Sequence, residues 1–85
     1  MTFYELEARY DARKSFYGKA HVVADNGIVN LYSYEVNVAC IKDGQLNLLP
    51  EWNYSQTTRR HVNEFVKQYG LDEQYERLKK EMKNG

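Results

Sequence analysis

Six residues able to handle a proton or an anion crowd into one short run: Ser55, Thr57, Thr58, Arg59, Arg60 and His61. They fall at the first turns of a helix, where the leading amides lack intrahelical partners and the dipole leaves a partial positive charge. Carboxylates ordinarily occupy that end. Arginines there oppose the dipole, at a cost of roughly 0.3 kcal/mol or more per exposed cation. Helix amides, hydroxyls and guanidinium groups together suit a phosphate or a carboxylate. A plainer reading stands beside this one. Glu51 precedes the run and Glu64 follows Arg60 at i+4, so surface ion pairs could absorb both arginines while Thr58 and His61 flank the core.

A second group is spread over the first half of the chain. His21, Tyr32 and Tyr34 fall on one mixed sheet face, near Arg13, Lys14, Phe16 and Tyr17. Aromatics interleaved with cations hold single-stranded nucleic acid by stacking and charge. Tyr and Arg are equally the anchors of protein interfaces, and rings lying under a helix would simply be core. The remaining chemistry is thin. His21, Cys40 and His61 lack the paired spacing of a metal site, so no metal or cofactor is expected. A Cys–His nucleophile can be drawn in any chain with these residues. There is no glycine-rich phosphate loop, no G-x-S-x-G elbow and no convergent carboxylate pair, which favours a protein that is not an enzyme.

Composition sets the bounds. Eighty-five residues make a single domain, 1–85, with a modest core. Eight Tyr, three Phe and one Trp make up much of the apolar content, and Tyr suits half-buried positions and contact surfaces. Twelve basic residues balance twelve acidic ones, so attraction to an anionic partner must come from a local patch. One cysteine forbids an internal disulfide and fits a reducing compartment. No run is long and apolar enough to cross a membrane, and the start lacks a signal-peptide pattern, so a cytoplasmic location without membrane attachment is expected.

The elements that must position these residues follow from pattern. Thr2 and Glu5 form a T-x-x-E capping box, Met1 and Leu6 a hydrophobic staple, and Phe3, Leu6 and Tyr10 share a helical face, which predicts an N-terminal helix fading between Tyr10 and Ser15. Residues 19–49 read as a four-stranded antiparallel meander. Asn26-Gly27 sets a hairpin with Ala24 facing Val29, Val22 facing Leu31 and Ala20 facing Ser33. Asp43-Gly44 sets another, but its register leaves apolar residues on both faces of the third strand. Either a bulge near Val38-Ala39 or a helix on each side resolves this. Pro50 ends the fourth strand. Ser55, or else Thr57, caps a helix with the stripe Thr58, Val62, Phe65, Val66 and Tyr69, and Gly70 with Leu71 suits a Schellman ending. Asp72 can cap a last helix with the stripe Leu71, Tyr75, Leu78 and Met82. The expected fold is α+β, a four-stranded meander with an N-terminal helix and two C-terminal helices packed on one face.

Several runs taken in order carry a resemblance: residues 11–20, Leu31-Tyr32-Ser33-Tyr34, Val38 to Gly44, and S-x-T-T-x-R-H-x-x-E-F from Ser55 to Phe65. Together they resemble an uncharacterised family of small proteins carried by phages, plasmids and integrative elements of Gram-positive bacteria, over about residues 10–69. The resemblance transfers a setting and no site residue. In that setting it implies a protein that binds a host macromolecule, foremost a protein such as a CRISPR or restriction component. The alternative is a nucleic-acid-binding module using Arg13, Lys14, Lys19, Arg59 and Arg60. The expected contact residues are Tyr32, Tyr34, His21, Thr57, Arg59, Arg60, His61, Arg13 and Lys14.

Overall fold

The computed structural model describes residues 2–11, 16 and 18–84, the last two by backbone alone. Arg13, Lys14, Met1 and Tyr17 therefore lie outside the described residues. Strands β1 (Thr2–Glu5), β2 (Ala20–Asp25), β3 (Ile28–Ser33), β4 (Val36–Lys42) and β5 (Gln45–Leu48) precede helices α1 (Gln56–Gln68) and α2 (Asp72–Asn84). The strands form one antiparallel sheet in the order β1-β2-β3-β4-β5.

The expected N-terminal helix is absent, and a fifth strand stands where it was placed. Thr2 to Glu5 pairs with Ala24 to His21 along the outer edge of β2. The capping box lost for a physical reason. A cap stabilises by about 1 kcal/mol, but so short a helix is marginal in water. Pairing instead satisfies the backbone of this segment and the exposed edge of β2 together. Only Leu6 of the expected helical face enters the core; Phe3 and Tyr10 are 64% and 61% exposed.

Both hairpins read from Asn-Gly and Asp-Gly are present. Asn26 and Gly27 have φ of 50° and 79°, and Asp43 and Gly44 have φ of 53° and 76°, the left-handed values that a two-residue turn requires. The β2–β3 register pairs Ala24 with Val29, Val22 with Leu31 and Ala20 with Ser33. A third tight turn joins β3 to β4, with Tyr34 and Glu35 at φ of 52° and 69°. Tyr34 therefore leaves the sheet face on which it was expected.

A bulge settles the β4 pattern. Leu31 pairs with Ala39 and Tyr32 with Asn37, leaving Val38 as the extra residue. Val38 and Ala39 are both buried, so two consecutive side chains serve the core. Ala20, Val22, Leu31, Ile41 and Leu46 from the sheet meet Val62, Phe65 and Val66 of α1 and Tyr75 of α2. The α1 helix ends in a Schellman motif: Leu71 N–H donates to the Val66 carbonyl at 3.0 Å and Gly70 N–H to that of Lys67 at 3.2 Å. Asp72 is the first residue of α2 rather than its cap; Tyr75 N–H reaches the Leu71 carbonyl. Gln74 then fastens α2 to the β5 edge, accepting from Leu46 N–H at 2.8 Å and donating to the Gly44 carbonyl at 2.9 Å.

The strand assignment has a direct test in denaturant melts. Leu6→Ala should cost about 2–5 kcal/mol, as for a buried leucine. Phe3→Ala should cost less than about 1 kcal/mol. Comparable losses at both positions would restore the helical reading.

Candidate functional site

Among the described residues, strand alternation leaves one face of the sheet without a helix. His21 stands across from Tyr32, and Tyr32 across from Asn37. The Phe3 ring stacks on His21 with centroids 5.3 Å apart and planes 24° from parallel. Around them Val23, Ile28, Asn30 and Cys40 are half-buried, and Asn37 Nδ2 donates to Asn30 Oδ1 at 3.1 Å. The charged residues of this face, Glu5, Asp25 and Lys42, all stand at strand ends. Aromatic rings flanked by charges at the strand ends are a composition found at protein interfaces.

On the covered side, the start of α1 meets the end of β3. Ser55 is extended, with φ of −146° and ψ of 169°, and its Oγ accepts from Thr58 N–H at 3.1 Å. The same oxygen lies 3.0 Å from Thr58 Oγ1, which accepts from Ser33 Oγ at 3.4 Å. Ser33 Oγ in turn lies 2.7 Å from His61 Nδ1. His61 is fully buried, packing edge-on against Phe16 at 4.6 Å and tilted against Tyr34 at 5.8 Å. These hydroxyls, with Tyr34, Val36, Val38, Glu51 and Tyr54, line a pocket of about 450 Å3. A serine at hydrogen-bond distance from a histidine is also the contact of an activated nucleophile. With Ser33 only 2% exposed and shared between His61 and Thr58, its hydroxyl is built to orient rather than to attack.

The arginines are not absorbed as the ion-pair reading supposed. Glu64 is 1% exposed, and its Oε1 accepts from the backbone N–H of Tyr10 at 2.7 Å and Asp11 at 3.0 Å. Its Oε2 accepts from Gln68 Nε2 at 2.6 Å. Arg60 pairs with Asp11 at 3.5 Å instead. Arg59 is exposed, and with Arg60 and Lys79 it borders a groove walled by Trp52 and Tyr75. Lys79 sits 4.3 Å from the Tyr75 ring centroid and 2.9 Å from Glu76. Thr57 is half-buried on the first turn.

The expected contact residues are thus divided among separate places. His21 and Tyr32 share the open face. Tyr34 is on the pocket rim at the end of the sheet, where it also shares a shallow recess with Lys19 and His21. His61 is under the pocket floor, and Arg59 and Arg60 are on the helix layer. Cys40 and His61 are on opposite sides of the sheet, so they do not form a pair. Pattern reading missed Phe3, Ser33 and Glu64. Ser33 did carry a signal: it is the one hydroxyl on the otherwise apolar face of the first hairpin.

Among the described residues, no helix is long and apolar enough to cross a membrane. Residues 4–84 match a protein family described as a family of unknown function. No curated protein and no solved structure matches the chain.

Two measurements probe this site's supports. Glu64→Gln places an amide N–H against the Gln68 donor or the Tyr10 and Asp11 amides, and should cost about 1–3 kcal/mol by chemical denaturation. Burial pushes the Tyr75 hydroxyl up to about 12, with Glu76 adding to the rise and Arg59 opposing it. Burial and the Tyr69 hydroxyl, 2.8 Å away, raise Tyr4 as well. A raised acid means that the folded state holds protons that the unfolded chain has released. Stability is therefore complete below about pH 10 and falls as pH rises toward about 12. Melting temperature against pH should show that fall, and Tyr75→Phe should make it shallower.

Proposed function

The chain belongs to the family of unknown function DUF8033, and we propose that it is a small non-enzymatic module that binds a protein partner with the open face of its sheet. The supporting observation is the one-sided sheet, whose open side carries Phe3, His21 and Tyr32 from β1 to β3, with Glu5, Asp25 and Lys42 at strand ends. Aromatic rings with few rotatable bonds lose little entropy on contact and carry much of the energy of interface hot spots.

The nucleic-acid reading asks for cations beside these rings. Among the described candidates Lys19 stands beside them, sharing a shallow pocket with His21, Tyr34 and Glu35. Arg59 and Arg60 lie on α1, across the sheet from Tyr32, and Lys42 is at the far end of its strand from Asn37, which faces Tyr32. Arg13 and Lys14 lie outside the described residues. Phosphate binding gains its strength from several such charges acting together. A protein partner fits the face better. The resemblance to small phage, plasmid and integrative-element proteins supports the finer proposal, a cytoplasmic host protein such as a CRISPR or restriction component.

The tagged chain should retain a stoichiometric bacterial protein, and Tyr32→Glu should weaken that complex by at least about tenfold. Arg59→Glu, on the helix layer, should leave it intact. The reverse pattern, read by titration calorimetry, would move the interface off the sheet.

A further inference from the structure

We propose that the pocket between the β3–β4 turn and the start of α1 binds a small amine carried on an aromatic body. This site lies on the opposite side of the sheet from the protein-binding face and stands independently of it. Its volume, about 450 Å3, falls in the range of small-ligand sites, and its make-up is theirs too: apolar walls with a few convergent polar groups. The walls are Val36, Val38 and the tyrosines 34 and 54, and the floor is the hydroxyl chain of Ser33, Ser55 and Thr58. Ser33 and Thr58 are 2% and 3% exposed, and each is held in place by other side chains. That floor is organised before any ligand arrives. At the mouth, Tyr54 is 79% exposed, Tyr34 51% and Val36 45%, an apolar rim turned to solvent.

The turn that carries Tyr34 supplies an internal comparison. At the same two left-handed turn positions, the chain's other hairpins use Asn26-Gly27 and Asp43-Gly44, the residues that tolerate positive φ. Here it uses Tyr34 and Glu35, which accept that conformation at a cost. Strain of this kind persists where the side chain has a task. Tyr34 spends it on a ring held at the pocket rim and against His61.

Charge selects the ligand. Among the described residues that line the pocket, Glu51 alone bears a full charge. The start of α1 would by itself favour an anion, but it offers only about half a positive charge against a whole carboxylate. A carboxylate beside tyrosine faces suits an ammonium group, and the hydroxyl floor can both donate to and accept from a polar tip.

Tyramine, p-cresol and 4-hydroxyphenylacetate differ at one end only, as cation, neutral molecule and anion. Titrated by NMR into the whole chain, tyramine should bind tightest, p-cresol about tenfold more weakly, and the anion weakest of all. The amides of Val36, Val38 and Thr58 should report the binding. Glu51→Gln should erase tyramine's advantage over p-cresol. The double change Tyr34→Asn, Glu35→Gly should raise the melting temperature and weaken tyramine at least tenfold, so that lost binding cannot be lost folding. Tyr32→Glu, on the other face, should leave tyramine binding unchanged. The assignment is overturned by the absence of a saturable shift with all three probes, by preference for the anion, or by full tyramine affinity in the turn variant.

Discussion

One line of polar side chains on α1 decides how the molecule is assembled. Thr58, His61, Glu64 and Gln68 follow one another at helical spacing, and together they reach three separate parts of the chain. Thr58 and His61 take the Ser33 hydroxyl at the end of β3. Glu64 takes the amides of Tyr10 and Asp11, and Gln68 donates to the Glu7 carbonyl at 2.7 Å. Beside this seam runs the apolar stripe of Val62, Phe65 and Val66. The stripe contributes most of the burial, but hydrophobic contact is non-directional and would tolerate sliding. Buried donors and acceptors do not, because an unmet one costs about 1–3 kcal/mol. The seam therefore sets the position of α1 along the sheet, and with it the shape of the pocket at its N-terminal end.

The two sides of the sheet then have different tasks. Both helices are spent on one face, where the bulge at Val38 brings an additional side chain into the core. The other face leaves its central aromatics and amides half-buried, with no helix over them among the described residues. Its exposure follows from the number of elements: two helices of 13 residues cover one side of a five-stranded sheet. The aromatic centre on that uncovered side and the strained Tyr34 turn on the covered one mark separate surfaces. The chain spends stability at the second where its other turns do not.

Much of the covered face was legible from pattern. Asn-Gly and Asp-Gly each predict the turn that forms, because left-handed φ is required at fixed positions and few residues accept it. Ser55 and Gly70 bracket α1 for equally local reasons. The site was less legible. Glu64 read as a surface ion-pair partner of Arg60, and His61 as an anion ligand or a residue flanking the core, since a charged or ring-nitrogen side chain is expected in solvent unless a partner is known. Their partners, Ser33 and the amides after β1, are distant in sequence. Arg59 and Arg60 drew notice for opposing the dipole, yet Arg59 borders the groove near Tyr75 and Arg60 reaches Asp11, apart from the hydroxyls beside them in sequence.

Sequence alone determined the features whose energy is local: turns, caps, the helical stripe and the alternation that makes a two-faced sheet. Tertiary structure decided the rest. Thr2 to Glu5 carries signals for both a helix and a strand, and the waiting edge of β2 chose the strand. Tyr34 could have continued β3; closure of the turn onto Val36 placed it at the pocket instead. In each case the intrinsic preference is worth about 1 kcal/mol or less. A set of backbone bonds or a buried polar network outweighs that, and neither exists until distant segments meet.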